Sequence, residues 1–318
     1  MKGLGMDVLC LGLVIADVLV KLKPGYTSFN DDLTVVKKIT LSGGGNALNT
    51  ALALSKLGMN TGVAGKVGCD YFGDFLINVM KGHGCDIRGI IRDPNVNTSV
   101  TVALVRPDGQ RNFLHYSAAS ASLDLKDVDF HLISESKILH IGGTLLLPGL
   151  DGVPMANILR NAQERKVMTS LDVSWDPRGR WMQELEPCLR YVDIFLPNLE
   201  EGIRLTGKEN PREVADVLLS YGIRIVGLKL GDKGCYLKTG NEEFTLPAIK
   251  IKTVDLTGAG DSFIAGFLTG ISKGFSVEKS GMLANAVGAM CVASLGATQG
   301  VKTLEETLDF MNETDLFC

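Results

Sequence analysis

The chain of 318 residues is 45% hydrophobic and 21% charged, the balance of a soluble globular protein with a sizeable core. A net charge of -4 supplies no basic field, which speaks against nucleic acid and anionic membrane surfaces as partners. Seven scattered cysteines, never spaced C-x-x-C, indicate neither a disulfide framework nor a zinc site, and the four histidines show no metal-ligand spacing.

The longest apolar stretch, Leu4 to Leu22, follows Lys2 as the core of a signal peptide would. Asp7, Gly12 and Asp17 interrupt it and no small-residue cleavage site follows. It therefore reads as a buried strand over Val8 to Val14, in a protein of the cytoplasm. Asn46 to Leu57 carries Leu48, Ala51, Leu52 and Ser55 at helical spacing and stops at Gly58. Next come a strand at Thr61 to Val67, a helix at Phe72 to His83 and a strand at Ile138 to Ile141. A helix at Pro154 to Lys166 leads to strands at Val167 to Val173 and Ile194 to Pro197. A helix at Pro211 to Tyr221 and a strand at Ile223 to Leu230 complete the alternation. The pattern predicts a single α/β domain over 1–318, with a central, mostly parallel sheet covered by helices on both faces.

Two regions, about 17–41 and 98–116, instead alternate apolar and polar residues at period two, as in Val18, Val20 and Leu22 or Val100, Val102 and Leu104. Pro107-Asp108-Gly109-Gln110 suits a turn between two such strands. These regions predict a small antiparallel sheet projecting from the core, able to serve as a lid or as a dimer contact.

Asp255-Leu256-Thr257-Gly258-Ala259-Gly260-Asp261 stands directly before an apolar helical run. A helix start presents unpaired N–H groups and the positive end of the dipole, and Gly258, Ala259 and Gly260 let an anion approach them. A carboxylate beside a bound phosphate is repelled by it, unless the carboxylate takes the proton of a hydroxyl attacking the phosphorus. The plainer reading of Asp261 is a helix cap after a glycine turn. Ser42-Gly43-Gly44-Gly45-Asn46 likewise leads into a helix carrying Asn49, and Asp17 is an acid in apolar surroundings. Carboxylate, amides and exposed N–H groups suit the clasping of a polyol, although a strand–helix turn alone would explain the glycines. No P-loop pattern occurs, so a nucleotide site must be built in another way.

Gly44-Gly45-x-x-x-Asn49 resembles the first signature of the ribokinase-like (PfkB) carbohydrate kinases. Asp255-x-Thr257-Gly258-Ala259-Gly260-Asp261 resembles their second, D-T-x-G-A-G-D, with Leu256 departing from it. The likeness extends over the chain through Gly68-x-Asp70-x-Phe72-Gly73, Gly109-Gln110-Arg111 and Asn198-x-x-Glu201. It implies an ATP-dependent, Mg²⁺-requiring sugar kinase with Asp261 as general base and Gly258, Ala259 and Gly260 as anion hole. It implies sugar contacts at Asp17, Gly44, Gly45 and Asn49, and nucleotide contacts at Asn198, Lys229, Gly231, Gly234, Thr257 and Asn285. Glu201 would organise Mg²⁺ through water, and Asp255 with Thr257 would offer a K⁺ site. Arg111 and His115, on one face of a lid strand, are the expected lid contacts to substrate, and the lid the expected homodimer surface.

The acceptor is a monosaccharide or sugar acid in the leading reading. Fructose and keto-deoxy-gluconate kinases carry D-x-N-x-R, where this chain has Asp172-Val173-Ser174-Trp175-Asp176. A nucleoside kinase would need an aromatic stacking pair from Trp175, Phe113 and Tyr116. A catalytically silent ligand-binding or regulatory protein would have no need of both Asp261 and the glycines.

Overall fold

The computed structural model describes residues 5–23, 33–106 and 111–313. The expected turn at 107–110 and the middle of the first lid segment lie outside them. Strands β1 (Met6–Gly12), β2 (Ile15–Lys21), β3 (Lys38–Gly44), β4 (Thr61–Gly68) and β5 (Asp86–Asp93) come first. Then follow β6 (Val100–Val105), β7 (Arg111–Tyr116), β8 (Ser136–Thr144) and β9 (Met168–Val173). β10 (Ile194–Phe195), β11 (Ile225–Lys229), β12 (Cys235–Lys238) and β13 (Glu243–Leu246) are the last.

Nine strands form the main sheet in the order β13-β12-β11-β10-β9-β8-β1-β4-β5. From β11 to β5 every pair is parallel, while β12 and β13 add an antiparallel edge that the alternation did not announce. One face packs on helices Asn46–Lys56, Tyr71–Gly82, Ala259–Ser272 and Val277–Val292, through Leu48, Leu76, Phe267 and Val287. The other packs on Val153–Glu164, Trp181–Leu189, Leu199–Thr206 and Pro211–Leu219, through Leu159, Leu185, Leu205 and Leu218. Two apolar layers sandwich a sheet whose central strands are themselves buried, as a parallel sheet requires. No helix among the described residues is long and apolar enough to cross a membrane.

The apolar stretch ending at Leu22 divides between two sheets, as the buried strand and the period-two region from Asp17 predict. β1 belongs to the main sheet and β2 to a separate sheet of order β3-β2-β6-β7. At the break Gly12 has φ +142°, and a Cβ there would lie 2.1 Å from the Gly142 carbonyl oxygen. The first strand ends at this break, and Asp17 follows it within β2.

The second sheet is the expected lid, with one correction: β2 pairs parallel with β6, while β2–β3 and β6–β7 are antiparallel. After β3 the chain passes through β4 and β5 of the core and returns on the free edge of β2, so the hairpin rule governs only the outer pairs. Asp70 fixes that return. Its carboxylate caps helix Tyr71–Gly82 at Gly73 N (2.8 Å) and accepts Thr98 N and Oγ1 (both 2.7 Å) just before β6. In register across the lid, Leu41, Val18, Val102 and Leu114 share one face, while Ser42, Asp17, Thr101 and His115 share the other.

Candidate active site

The N-termini of helices Asn46–Lys56 and Ala259–Ser272 meet over the C-terminal ends of the central strands. Gly45, at φ +90°, caps the first, and Gly258, at φ +74°, caps the second. A Cβ on Gly258 would lie 2.1 Å from the Ala297 carbonyl oxygen, so this turn demands glycine twice over. Helix geometry leaves the N–H groups of Gly260 and Asp261 without intrahelical acceptors.

Asp261 is only 7% exposed. Its Oδ2 accepts Asn49 Nδ2 at 2.9 Å and its Oδ1 accepts Asn46 Nδ2 at 3.1 Å. Burial, and then repulsion from Asp172, push its carboxyl up to about 6, against the opposing pull of the Asn49 amide, Lys229 and the Asn46 amide. Asp17 is raised further, to about 7, by burial and by the Asp261 charge, with a hydrogen bond from Thr101 opposing. Asp17 packs directly on Gly44, where a Cβ would come 2.0 Å from Oδ2. The Thr101 hydroxyl also meets His115 Nδ1 at 3.0 Å, and burial lowers the His115 imidazole toward its neutral form.

Lys229 Nζ lies 2.8 Å from Asp172 Oδ1. Burial pulls the ammonium down, but Asp172 and Glu201 outweigh it and hold the lysine above its usual range. A Cβ on Gly260 would stand 3.4 Å from this ammonium. The cation and the open helix end thus face one space.

Asn198 and Glu201 cap helix Leu199–Thr206 reciprocally: Asn198 Oδ1 accepts Glu201 N at 2.8 Å, and Glu201 Oε2 accepts Asn198 N at 2.7 Å. Burial raises Glu201 to about 7, against Lys229, with Asp172 adding to the rise. Asp255 behaves differently. Its oxygens accept the N–H groups of Thr257 (2.7 Å) and Gly296 (3.0 Å), bracing the approach to the glycine turn. Among the described residues no group of three or more His, Cys, Asp or Glu side chains forms a metal site.

A cavity of about 980 Å³ joins these groups. Asn46, Asp172, Asn198, Glu201, Lys229 and Asp261 line it together with the apolar Ile249, Phe263, Ala289 and Val292. Gly231, Gly234, Gly258, Ala259, Gly260 and Asn285 also line it. Asn285 spends its amide on Pro247 O at 3.0 Å, which holds the segment after β13 against the cavity wall. The volume, the apolar lining residues and the two glycine turns fit a nucleoside triphosphate, and the Glu201 carboxylate fits a hydrated Mg²⁺.

The structure therefore gathers Asn198, Glu201, Lys229, Gly231, Gly234, Asn285 and Gly258 to Asp261 on one wall. Asp17, Gly44, Gly45 and Asn49 adjoin Asp261 without lining the cavity, and Asp255 and Thr257 stand behind the turn. Of the two lid contacts, His115 sits opposite Thr101 and joins Asp17. Arg111 pairs with Val105 at the far end of β7, four residues or roughly 13 Å away. Asn46, Asp172 and Ser174 enter the site with hydrogen bonds that the sequence did not assign. For Asn46 a signal existed, since it precedes Asn49 by one helical turn on the same face.

A family model described as pfkB family carbohydrate kinase matches residues 6–304. The chain is 33% identical over 254 residues to an uncharacterized sugar kinase of Archaeoglobus fulgidus, covering 79% of this chain and 98% of that protein. It is 30% identical over 277 residues to 2-dehydro-3-deoxygluconokinase of Bacillus subtilis, covering 83% and 85%. An E. coli structure provisionally described as ribokinase II, in complex with ATP and Mg²⁺, superposes with a TM-score of 0.83 at 25% identity, covering 97% of this chain and 99% of that one.

Asp172 is 3% exposed and Lys229 15%, so the pair is tested by breaking it. Lys229→Met leaves a buried carboxylate unpaired and is expected to cost about 3 kcal/mol in urea unfolding, most of it recovered in Lys229→Met with Asp172→Asn. A single variant as stable as the parent would show that the pair carries no such coupling.

Proposed function

This chain belongs to the pfkB family of carbohydrate kinases, and we propose that it transfers the γ-phosphoryl group of ATP to a hydroxyl of a free, uncharged monosaccharide, with Asp261 as general base. The observation that carries the reading is the buried Asp261 carboxylate, held by Asn49 and Asn46 at a helix end whose N–H groups face the cavity.

Phosphoryl transfer asks the protein for alignment and charge neutralisation rather than covalent chemistry. Asp261, poised near 6, is ionised at neutral pH and basic enough to accept the hydroxyl proton as the new O–P bond forms. The N–H groups of Gly260 and Asp261 face the charge that develops on the transferring group, and Lys229 adds a cation from the adjoining strand. Asn198 and Glu201 would hold the waters of a bound Mg²⁺, which would supply further charge neutralisation. Asp255 braces the glycine turn by accepting the Thr257 and Gly296 N–H groups.

An uncharged acceptor follows from electrostatics. Asp17, Asp172 and Asp261 lie on the acceptor side, and several nearby cations already face partners. Lys229 is on Asp172, Arg178 on Asp151 and Asp176, Arg180 on Glu184, and Arg204 on the Trp175 ring. A sugar acid would bring a further negative charge toward Asp172 and Asp261. A nucleoside acceptor lacks its stacking pair. Trp175 lines the cavity, but Phe113 and Tyr116 stand on opposite faces of β7 and are 61% and 58% exposed. An ATP-consuming reaction of this kind suits the cytoplasm. Ile39, Leu41 and Leu114 leave an apolar row open on the outer face of the lid, which suits a second copy of the chain as partner.

ADP release measured with D-fructose, D-ribose, 2-keto-3-deoxygluconate and adenosine tests the acceptor class. The neutral sugars are expected to be preferred, and a higher kcat/KM for the keto-deoxy acid or for adenosine would reverse the assignment. Asp261→Asn is expected to lower kcat at least about 10²-fold while ATP binding persists. In the parent, kcat/KM should fall with decreasing pH below about 6, as the base takes up its proton. Near-normal turnover of the variant would remove Asp261 from the chemistry. Leu114→Asp should turn a dimer in sedimentation into a monomer; a parent that is monomeric at every concentration would end the lid-pairing proposal.

A further inference from the structure

Asn46 occupies an unspecified position of the Gly44-Gly45-x-x-x-Asn49 motif, yet it touches more of the site's polar groups than any residue the motif names. Its Nδ2 donates to Asp261 Oδ1 at 3.1 Å and to Asp172 Oδ2 at 3.4 Å, and its Oδ1 accepts from the Ser174 hydroxyl at 3.2 Å. This pattern allows one orientation only, because a flipped amide would present its oxygen to two carboxylates. Asp172 completes the chain through its second oxygen, which takes Lys229 Nζ at 2.8 Å. A continuous run of hydrogen bonds thus links Lys229, beside the phosphate-facing turn, to Asp172, Asn46 and Asp261.

We propose that Asn46 is a positioning residue for Asp261: it aims the carboxylate and, by standing between the two acids, keeps Asp261 ionised despite Asp172. The inference rests on the reading of Asp261 as the base. Asn49 cannot perform the second task, since it reaches Asp261 but makes no hydrogen bond to Asp172. Both amide protons of Asn46 point at negative oxygen, which favours the ionised form of each acid. Ser174 acts one step further out, by fixing the amide carbonyl so that the N–H groups do not turn away. The remaining groups that face Asp261 are Asp17 on β2, Lys229 on β11, Cys10 on β1 and Cys291 on helix Val277–Val292. Burial holds both thiols neutral, so Asp17, Asp172 and Lys229 are the charges that Asn46 works among.

The test is a pH titration of aspartate-¹³Cγ-labelled protein, in which the Asp261 resonance is identified by its loss in Asp261→Asn. Asn46→Leu keeps the branched outline of the side chain and removes the amide, and is expected to move the Asp261 midpoint about one pH unit upward. Asn46→Asp replaces the donor with a third acid and should move it further. With D-fructose as acceptor, the acid limb of kcat/KM should shift by the same amount, and the loss at pH 6.5 should narrow by pH 9. A role confined to packing would lower Tm and leave the midpoint in place. An unmoved midpoint in either folded variant overturns the inference, and the polar Asn46→Asp carries the test if Asn46→Leu does not fold. Full activity of Asp261→Asn would instead refute the base assignment while leaving the titration result intact.

Discussion

The structure turns on one contact, the grip of two helix-borne amides on a buried carboxylate. Asn49 and Asn46 belong to the helix that follows β3, Asp261 to a helix more than two hundred residues later, and their hydrogen bonds close at 2.9 and 3.1 Å. Burying an acid is costly, and the rise of Asp261 from 3.8 to about 6 corresponds to about 3 kcal/mol against the ionised folded state. The sign follows from the unfolded chain releasing its proton first: stability is lost as pH climbs from 3.8 toward 6, and the cost is complete above that. A fold that tolerates this cost places the group where a base of intermediate strength serves proton transfer at neutral pH.

Other features are consequences of holding that acid at the mouth of a phosphate site. The turn before it must be glycine, because Gly258 has positive φ and no room for a Cβ against Ala297, and Gly260 faces the Lys229 ammonium. Asp255 braces the turn through two backbone N–H groups, so that the helix end is rigid before any anion arrives. The lid brings a second raised acid, Asp17, toward the first, with Thr101 and His115 completing a neutral-to-acidic row on its inner face. In the proposed reaction, nucleotide and acceptor would approach the same carboxylate from different sides, one from the glycine-lined cavity and the other from beneath the lid.

Much of this was legible in the sequence because it is local. Glycine turns before apolar runs and the helical spacing after Asn46 are encoded within a few residues, and the structure realises both, whereas the reciprocal cap of Asn198 and Glu201 was not read from the sequence. What escaped was set by distance. The pairing of Asp172 with Lys229 and the bonds of Asn46 to Asp172 and of Ser174 to Asn46 join positions 57 to 128 residues apart. Period-two alternation identified the lid strands but carries no direction, so the parallel β2–β6 pair was not foreseeable from it. The short β12–β13 hairpin offered too few residues for a period.

The central claim is that Asp261 and the helix end behind it face the transferring phosphoryl group together. A crystal structure with Mg²⁺, a non-hydrolysable ATP analogue and D-fructose tests it directly. The account predicts the γ-phosphate within hydrogen-bond distance of the Gly260 and Asp261 N–H groups, and a sugar hydroxyl within about 3 Å of the Asp261 carboxylate. A γ-phosphate bound away from the glycine turn, or an acceptor hydroxyl oriented by another residue with Asp261 still closed onto Asn46 and Asn49, would contradict it.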